Sequence, residues 1–233
     1  MRYKKITMAS VAARDFARIG RSVVCIGRNY VEHASELGNA VPSKPFYFLK
    51  PPSAYLEYDY SSPSSQAPVE IPRGVGSVHH EVELAVVMGR RASRVCAADA
   101  EDYIAGYALA IDMTARDLQL EAKKAGLPWT RAKGFDTFLP VGKFLPKAEV
   151  PDPHNLRLWL KVNGKTRQDD RTSLMIFNIP QLIEAVSDTM TLNEGDIICT
   201  GTPKGVGHVS PGDNISAGIE GLDEISFPVV ERK

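Results

Sequence analysis

The sequence lacks any charge imbalance: 28 lysines and arginines stand against 28 aspartates and glutamates. With no global basic field, nothing points to nucleic acid or to an acidic membrane surface as a partner. Cysteine is scarce, and Cys25, Cys96 and Cys199 are far apart and odd in number. That argues against a disulfide framework and a cysteine zinc cluster, and it favours a reducing compartment. No apolar run is long enough to span a bilayer, so no membrane partner is expected and the sequon Asn214-Ile215-Ser216 reads as incidental. There is no internal repeat. A nucleotide-binding phosphate loop is missing as well. Gly201-Thr202-Pro203-Lys204-Gly205-Val206-Gly207 is glycine-rich, but Lys204 precedes Gly205-Val206 and no helix signal follows. A turn bringing Thr202 and several N–H groups towards a small anion is the better reading.

The 233 residues that are present have ordinary globular composition and suffice for one large domain or at most two small ones. Residues 1–21 carry Arg2, Lys4, Lys5, Arg14, Arg18 and Arg21 against one acid, Asp15. They read as a weak mitochondrial presequence or as an amphipathic first helix with Val11, Phe16 and Ile19 turned inward. The compartment expected is therefore mitochondrial or cytoplasmic, and residues 22–233 form a single domain.

Along that domain, Ser22–Ile26 and Pro45–Leu49 read as strands. Asn29–Leu37 reads as a helix stopped at Gly38-Asn39. Residues 50–78, rich in Pro, Ser and Gly, predict a long surface loop of the kind that often covers a site. A strand bearing Glu81 and Glu83, a short helix near Ala97–Tyr103 and a strand Gly106–Asp112 follow. Thr114-x-x-Asp117 has capping-box spacing ahead of a helix from Ala115 to Lys124, stopped by Gly126 and Pro128. Lys133 falls in a glycine-containing loop. Leu156–Val162 and Lys165–Asp169 make a hairpin through Asn163-Gly164. A helix Ile179–Val186 and strands at Ile197–Thr200, Asn214–Ile219 and Ile225–Val230 complete the chain. Strands outnumber helices without alternating with them, which predicts α+β around a largely antiparallel or mixed sheet.

Two stretches carry chemistry on their own terms. Glu81 and Glu83, two apart on a strand, share a face. Their mutual repulsion is relieved by a divalent cation, and hard oxygen ligands suit magnesium, manganese or calcium. His33 and Glu36 share a helix face, so the imidazole reads as a base oriented by a carboxylate. Arg116 and Gln119 likewise sit on one side of their helix, and Asp112 ends a strand just before it. His79 and His80 find no third soft ligand at metal spacing and read as structural.

Seven stretches in order resemble the fumarylacetoacetate hydrolase superfamily, in its short single-domain branch of acylpyruvases and oxaloacetate-processing enzymes. They are Gly27-Arg28-Asn29-Tyr30 with His33, Phe48-Leu49-Lys50-Pro51, His79-His80-Glu81-Val82-Glu83-Leu84, Asp112-Met113-Thr114-Ala115-Arg116-Asp117, Gly126-Leu127-Pro128-Trp129, Lys133-Gly134-Phe135-Asp136 and Thr200–Gly207. The resemblance implies a mixed, mainly antiparallel β-roll with a few flanking helices, and a homodimer. It implies that Glu81, Glu83 and Asp112 bind one Mg²⁺ (or Mn²⁺) and that Lys133 lies beside the metal and contacts the substrate. It implies that Arg28, Arg116, Gln119 and Thr202 surround the substrate's carboxylate or oxo groups, with His33 and Glu36 as an acid/base pair on a closing helix. The implied substrate is a small 2-oxo acid, and the implied reactions share a metal-stabilised pyruvate enolate: acylpyruvate hydrolysis, oxaloacetate decarboxylation and oxaloacetate keto–enol tautomerisation. Alternatives are a 2-hydroxymuconate-type isomerase or fumarylpyruvate hydrolase of aromatic catabolism, and a non-catalytic 2-oxo acid binding protein.

Overall fold

The computed structural model describes residues 13–36, 38 and 40–233. Its first helix, α1 (Phe16–Ile19), is one turn long. Phe16 is buried against Tyr55, ring centroids 5.9 Å apart, whereas Ile19, expected inside, is 39% exposed. Val11 lies outside the described residues. The apolar run after Ser22 forms β1 (Val23–Gly27), followed by α2 (Val31–Glu36). This helix starts later than the predicted Asn29 because the Asn29 side chain is engaged elsewhere. Its amide donates to Thr200 O (2.8 Å) and Phe177 O (3.0 Å), and its side-chain oxygen accepts from the Phe177 N–H (2.8 Å). Such bonds compete with the start of a helix. Gly38 takes the expected left-handed conformation, φ 64°; Leu37 and Asn39 lie outside the described residues.

β2 (Phe46–Lys50) is the second predicted strand. The stretch 50–78 is not the plain loop its composition suggests. It holds β3 (Tyr55–Glu57), β4 (Val69–Ile71) and β5 (Val78–His80). β3 runs parallel to Leu139–Val141 and β4 parallel to Val229–Glu231. Pairing with distant segments, rather than local pattern, makes these short strands.

β6 (Val82–Met88) and β7 (Ile104–Ile111) pair antiparallel with Glu83 opposite Ala110, and every residue of β6 is buried. β8 (Thr114–Ala115) leads into α3 (Arg116–Ala125), which ends on Gly126 at φ 66°, as predicted. Then come α4 (Thr130–Lys133), β9 (Leu139–Val141), β10 (Leu145–Pro146), β11 (Arg157–Val162) and β12 (Lys165–Arg171). Asn163 and Gly164, at φ 51° and 75°, supply the two positive-φ positions that a tight hairpin turn requires. α5 (Ile179–Thr189) opens with a capping box between Asn178 and Gln181. β13 (Ile197–Cys199), β14 (Gly207–Val209), β15 (Asn214–Ile219) and β16 (Asp223–Glu231) complete the chain.

The strands form three sheets. The largest runs β2-β1-β13-β6-β7-β9-β3, with β10 on β7; the others run β12-β11-β15-β16-β4 and β14-β5-β8. The pairs β1–β13, β3–β9 and β4–β16 are parallel, and the remaining ladders are antiparallel. The class is α+β, mixed and mainly antiparallel, as expected. The period of two along β6 divides its side chains. Leu84, Val86 and Met88 enter the main core, while Ala85 and Val87 join a smaller cluster with Cys25 and Cys199. Glu83 leaves β6 on that second face, at its open end.

Candidate active site

Glu81 stands immediately before β6 and Glu83 is the strand's second residue, so both carboxylates leave on one side. Asp112 follows β7, and its N–H donates to Glu81 O (2.8 Å), which holds the third carboxylate beside the first. One oxygen from each of the three lies within 4.8 Å of the others, and all three residues are buried. The structure thus brings together the three residues expected as ligands.

Cations surround them. Lys133 Nζ donates to Asp112 Oδ2 (2.6 Å) and Glu81 Oε2 (3.0 Å). It ends α4 rather than lying in a loop as predicted, since a single turn, in which the Trp129 and Thr130 carbonyls accept from the Lys133 and Gly134 N–H groups, was not legible in so short a helix. Arg116 pairs with Glu81 Oε1 and donates to Gln119 Oε1 at 2.6 Å, the contact that their spacing on α3 predicts. Lys50, at the end of β2, lies 2.8 Å from Asp112 Oδ1. Its ammonium donates to three carbonyls, those of Met113 (3.0 Å), Lys133 (2.5 Å) and Phe138 (2.9 Å). Asp112 Oδ1 therefore receives charge from Lys50 but no hydrogen bond, and it is buried.

The electrostatics separate the two glutamates. Burial alone would raise Glu81, but the Lys133 ammonium and the Arg116 guanidinium outweigh it and hold this carboxyl well below the usual range. Glu83 accepts no hydrogen bond from a cation: burial, then Asp112, Cys25 and Glu81, push it well above, and the opposing pull of Lys133 is outweighed. The donors are hard oxygens, buried and mutually repelling, with Asp112 Oδ1 lacking a hydrogen bond. That set fits a hard divalent cation and does not suit a soft one.

The glycine-rich loop connects this centre to α2. The Gly201 N–H donates to Glu83 Oε2 (2.7 Å), and the Gly205 N–H approaches both Glu36 carboxylate oxygens (3.2 Å each). The anions held by these N–H groups are thus the chain's own carboxylates, not the free anion the sequence suggested. Glycine is required at both positions. Gly201 has φ 97° and Gly205 φ 90°, and a Cβ on Gly205 would lie 2.0 Å from Arg167 O. The Thr202 hydroxyl donates to Val82 O (2.7 Å) and accepts from Gln168 Nε2 (2.8 Å), so its proton is already engaged although the residue lines the cavity.

His33 is buried on α2, Nδ1 3.7 Å from Glu36 Oε2, and that nitrogen makes no hydrogen bond. Burial, helped by Arg116, lowers its pKa; Glu81 and Glu36 oppose the shift. The imidazole is therefore neutral near pH 7, the state a base needs. His33, Glu81, Glu83, Arg28, Arg116, Gln119, Lys133 and Thr202 all line one cavity. Asp112 and Glu36 stand behind that lining. No residue between 51 and 78 reaches it, so that stretch does not cover the site.

The Thr114 signal was also misread, and several residues were missed. Thr114 caps nothing: its hydroxyl donates to Glu81 Oε1 (3.1 Å), and Asp117 accepts from the Gly76 N–H (2.7 Å). Gln168 reaches in from β12 to bond the Val82 N–H (3.1 Å), with His80 Nδ1 2.9 Å away. His79 Nδ1 lies 3.4 Å from Arg116 Nε, and burial together with Arg116 pushes its pKa down to about 4. Both histidines brace the centre, as expected. Lys50 and Lys123 went unmarked; a lysine closing an apolar strand, and one a turn beyond Gln119, were the available signals.

Fold and site together define a class: α+β proteins with a buried carboxylate centre that could hold a metal, ringed by cations. Residues 22–230 match the family model described as fumarylacetoacetate (FAA) hydrolase C-terminal. The chain belongs to the fumarylacetoacetate hydrolase family. It is 55% identical to the mitochondrial oxaloacetate tautomerase of Arabidopsis thaliana over 225 residues, covering 97% of this chain and 98% of that one. It is 52% identical to the mitochondrial oxaloacetate tautomerase of Homo sapiens over 221 residues, covering 94% and 97%. The crystal structure of fumarylpyruvate hydrolase from Pseudomonas aeruginosa in complex with Mn²⁺ and pyruvate superposes with a TM-score of 0.84 at 34% identity, covering 91% of each chain.

Proposed function

We propose that this chain is a divalent-metal-dependent enzyme that moves a proton at the carbon beside the keto group of a 2-oxo dicarboxylate, with oxaloacetate keto–enol tautomerisation as its reaction. The observation that carries this reading is the convergence of two independent groups on one cavity: the carboxylate trio Glu81, Glu83 and Asp112, and the His33–Glu36 pair from another element. Near-complete coverage of relatives named oxaloacetate tautomerase supports it. Magnesium, or manganese in its place, would be held by Glu81, Glu83 and Asp112 and would supply Lewis acidity towards the bound 2-oxo acid.

The chain's own groups do the rest. Arg116, braced by Gln119 and Glu81, orients a substrate carboxylate, and Arg28 lines the same cavity. His33 takes the proton from C3. The C–H electron pair becomes the C=C bond, the carbonyl pair moves onto oxygen, and that oxygen is protonated beside the Lys133 ammonium, so no atom is gained or lost. Glu36 steadies the imidazolium while it carries the proton. Decarboxylation of oxaloacetate needs no base, because departing CO₂ leaves its electron pair behind.

A second reading, acylpyruvate hydrolysis, is favoured by the likeness to the fumarylpyruvate hydrolase structure. There His33 would deprotonate a water attacking the distal carbonyl, the C–C bond would break, and pyruvate would leave as its enol. The 2-hydroxymuconate-type isomerase draws on the same proton transfer.

The catalytic unit is residues 22–233, acting as a homodimer. Exposed Leu49 and Leu127 beside the unpaired edge of β2 support a second copy docking there. The mitochondrial compartment, of the two expected, is supported by the relatives' names and the basic stretch 1–21. The test is turnover of oxaloacetate enol and of acetylpyruvate with magnesium and with EDTA. Metal-dependent turnover upholds the reading; tight binding without turnover would replace it with a 2-oxo acid binding protein.

A further inference from the structure

The cavity has an inner and an outer half, and their charges differ. In the inner half Lys133 and Arg116 lie against Glu81, with Lys50 and Asp112 paired behind the lining. In the outer half stand Arg28 and Lys123, both half-buried and both lining the cavity. Among the described residues neither is ion-paired with a carboxylate. Aromatic faces hold them instead: Arg28 Cζ lies 5.2 Å from the Phe46 ring centroid and Lys123 Nζ 5.3 Å from that of Trp129. Those rings meet edge to face, centroids 5.9 Å apart, so the two cations are mounted on one apolar wall. A ring face attracts a cation without neutralising it. Lys123 also follows Arg116 and Gln119 on the inward face of α3. The helix thus presents a neutralised guanidinium, an amide and an unneutralised ammonium in turn, the first two buried and the last half-buried. Burial, then the neighbouring Arg28 and Arg116, lower the Lys123 pKa, as two unpaired cations facing one space require.

We infer that Lys123, together with Arg28, receives the distal carboxylate of the substrate and so sets the preference for a 2-oxo dicarboxylate over a 2-oxo acid with an uncharged tail. The inference rests on the 2-oxo acid reading of the site. It adds a specificity-determining residue and fixes which end of the substrate points outward. Oxaloacetate, held inside by its 2-oxo acid end, extends its second carboxylate towards the wall of Phe46 and Trp129, where two cations lack partners. Acetylpyruvate would leave them so.

The test compares wild type, Lys123→Gln and Lys123→Arg, all magnesium-loaded. Two ratios are measured: kcat/KM for oxaloacetate over kcat/KM for acetylpyruvate, and the dissociation constants of oxaloacetate and oxalate from quenching of Trp129 fluorescence. Oxalate has no distal carboxylate. For Lys123→Gln both ratios shift about tenfold against oxaloacetate, through KM rather than kcat, the scale of one half-buried charge pair. Lys123→Arg restores most of the shift, and high salt shrinks it in the wild type. Equal losses for both substrates, or unchanged ratios, overturn the inference while leaving the function intact. A wild type that binds oxalate but not oxaloacetate overturns the function and the inference with it.

Discussion

Removing the Lys50 ammonium tests how the carboxylate centre is held in place. Lys50→Met keeps the length and volume of the side chain and deletes its charge and three donors. Lys50 is 2% exposed. The Met113, Lys133 and Phe138 carbonyls each lose a bond of 2.5–3.0 Å, and Asp112 loses the cation 2.8 Å from Oδ1. Deleting one partner of a buried ion pair costs up to about 3–5 kcal/mol, although Lys133 still bonds Asp112 Oδ2 at 2.6 Å. In a chain of this length such a loss lowers the melting temperature by roughly 6–20 °C. The three carbonyls belong to the segment that presents Asp112 and Lys133, so magnesium affinity falls with stability. Thermal melts with and without magnesium, paired with calorimetric titration of the metal, read both effects. A melting temperature within about 2 °C of wild type, with unchanged magnesium affinity, would refute the argument.

Three further expectations concern the site. Glu83→Ala removes one of the three oxygen donors, so the melting-temperature rise that magnesium gives the wild type, worth about 2.7 kcal/mol at a hundred times the dissociation constant, disappears together with turnover. His33→Ala lowers acylpyruvate hydrolysis by about a hundred- to ten-thousand-fold and slows tautomerisation, while oxaloacetate decarboxylation falls less; side-by-side rates on metal-loaded protein show whether the losses differ, and equal losses would make His33 a shaping residue. The active imidazole is neutral and its pKa is lowered by burial, so kcat/KM is retained at neutral pH and falls as pH drops through a value below that of free histidine. Glu36 opposes the lowering, so Glu36→Gln moves this acid limb to still lower pH, as a pH–rate profile of each protein shows.

The parts of the site legible in the sequence were those in which local period and chemistry coincide. Glu81 and Glu83 share a strand face, Arg116 and Gln119 a helix face, and His33 and Glu36 another; each pair is adjacent in the structure. The hairpin at Asn163-Gly164 was equally plain because its turn depends on two residues alone. What escaped depends on residues far apart. Thr114 has the spacing of a helix cap, but a buried carboxylate 33 positions away takes its hydroxyl. Lys50 is a lysine at the end of a strand until the Asp112–Phe138 segment folds around it. The strands within 50–78 exist only because distant segments offer them an edge. Gln168 braces the glycine-rich loop from a hairpin that, by its pattern, is solvent-facing.

In the proposed reaction a neutral imidazole and a carboxylate-held metal act on one carbon. Proton exchange at C3 of oxaloacetate, followed by nuclear magnetic resonance in D₂O, measures that act directly. With magnesium, deuterium is expected to enter C3 well above the uncatalysed rate, and to stop doing so on EDTA treatment or in His33→Ala. Exchange at the buffer rate in the metal-loaded wild type, or exchange indifferent to EDTA, would contradict it.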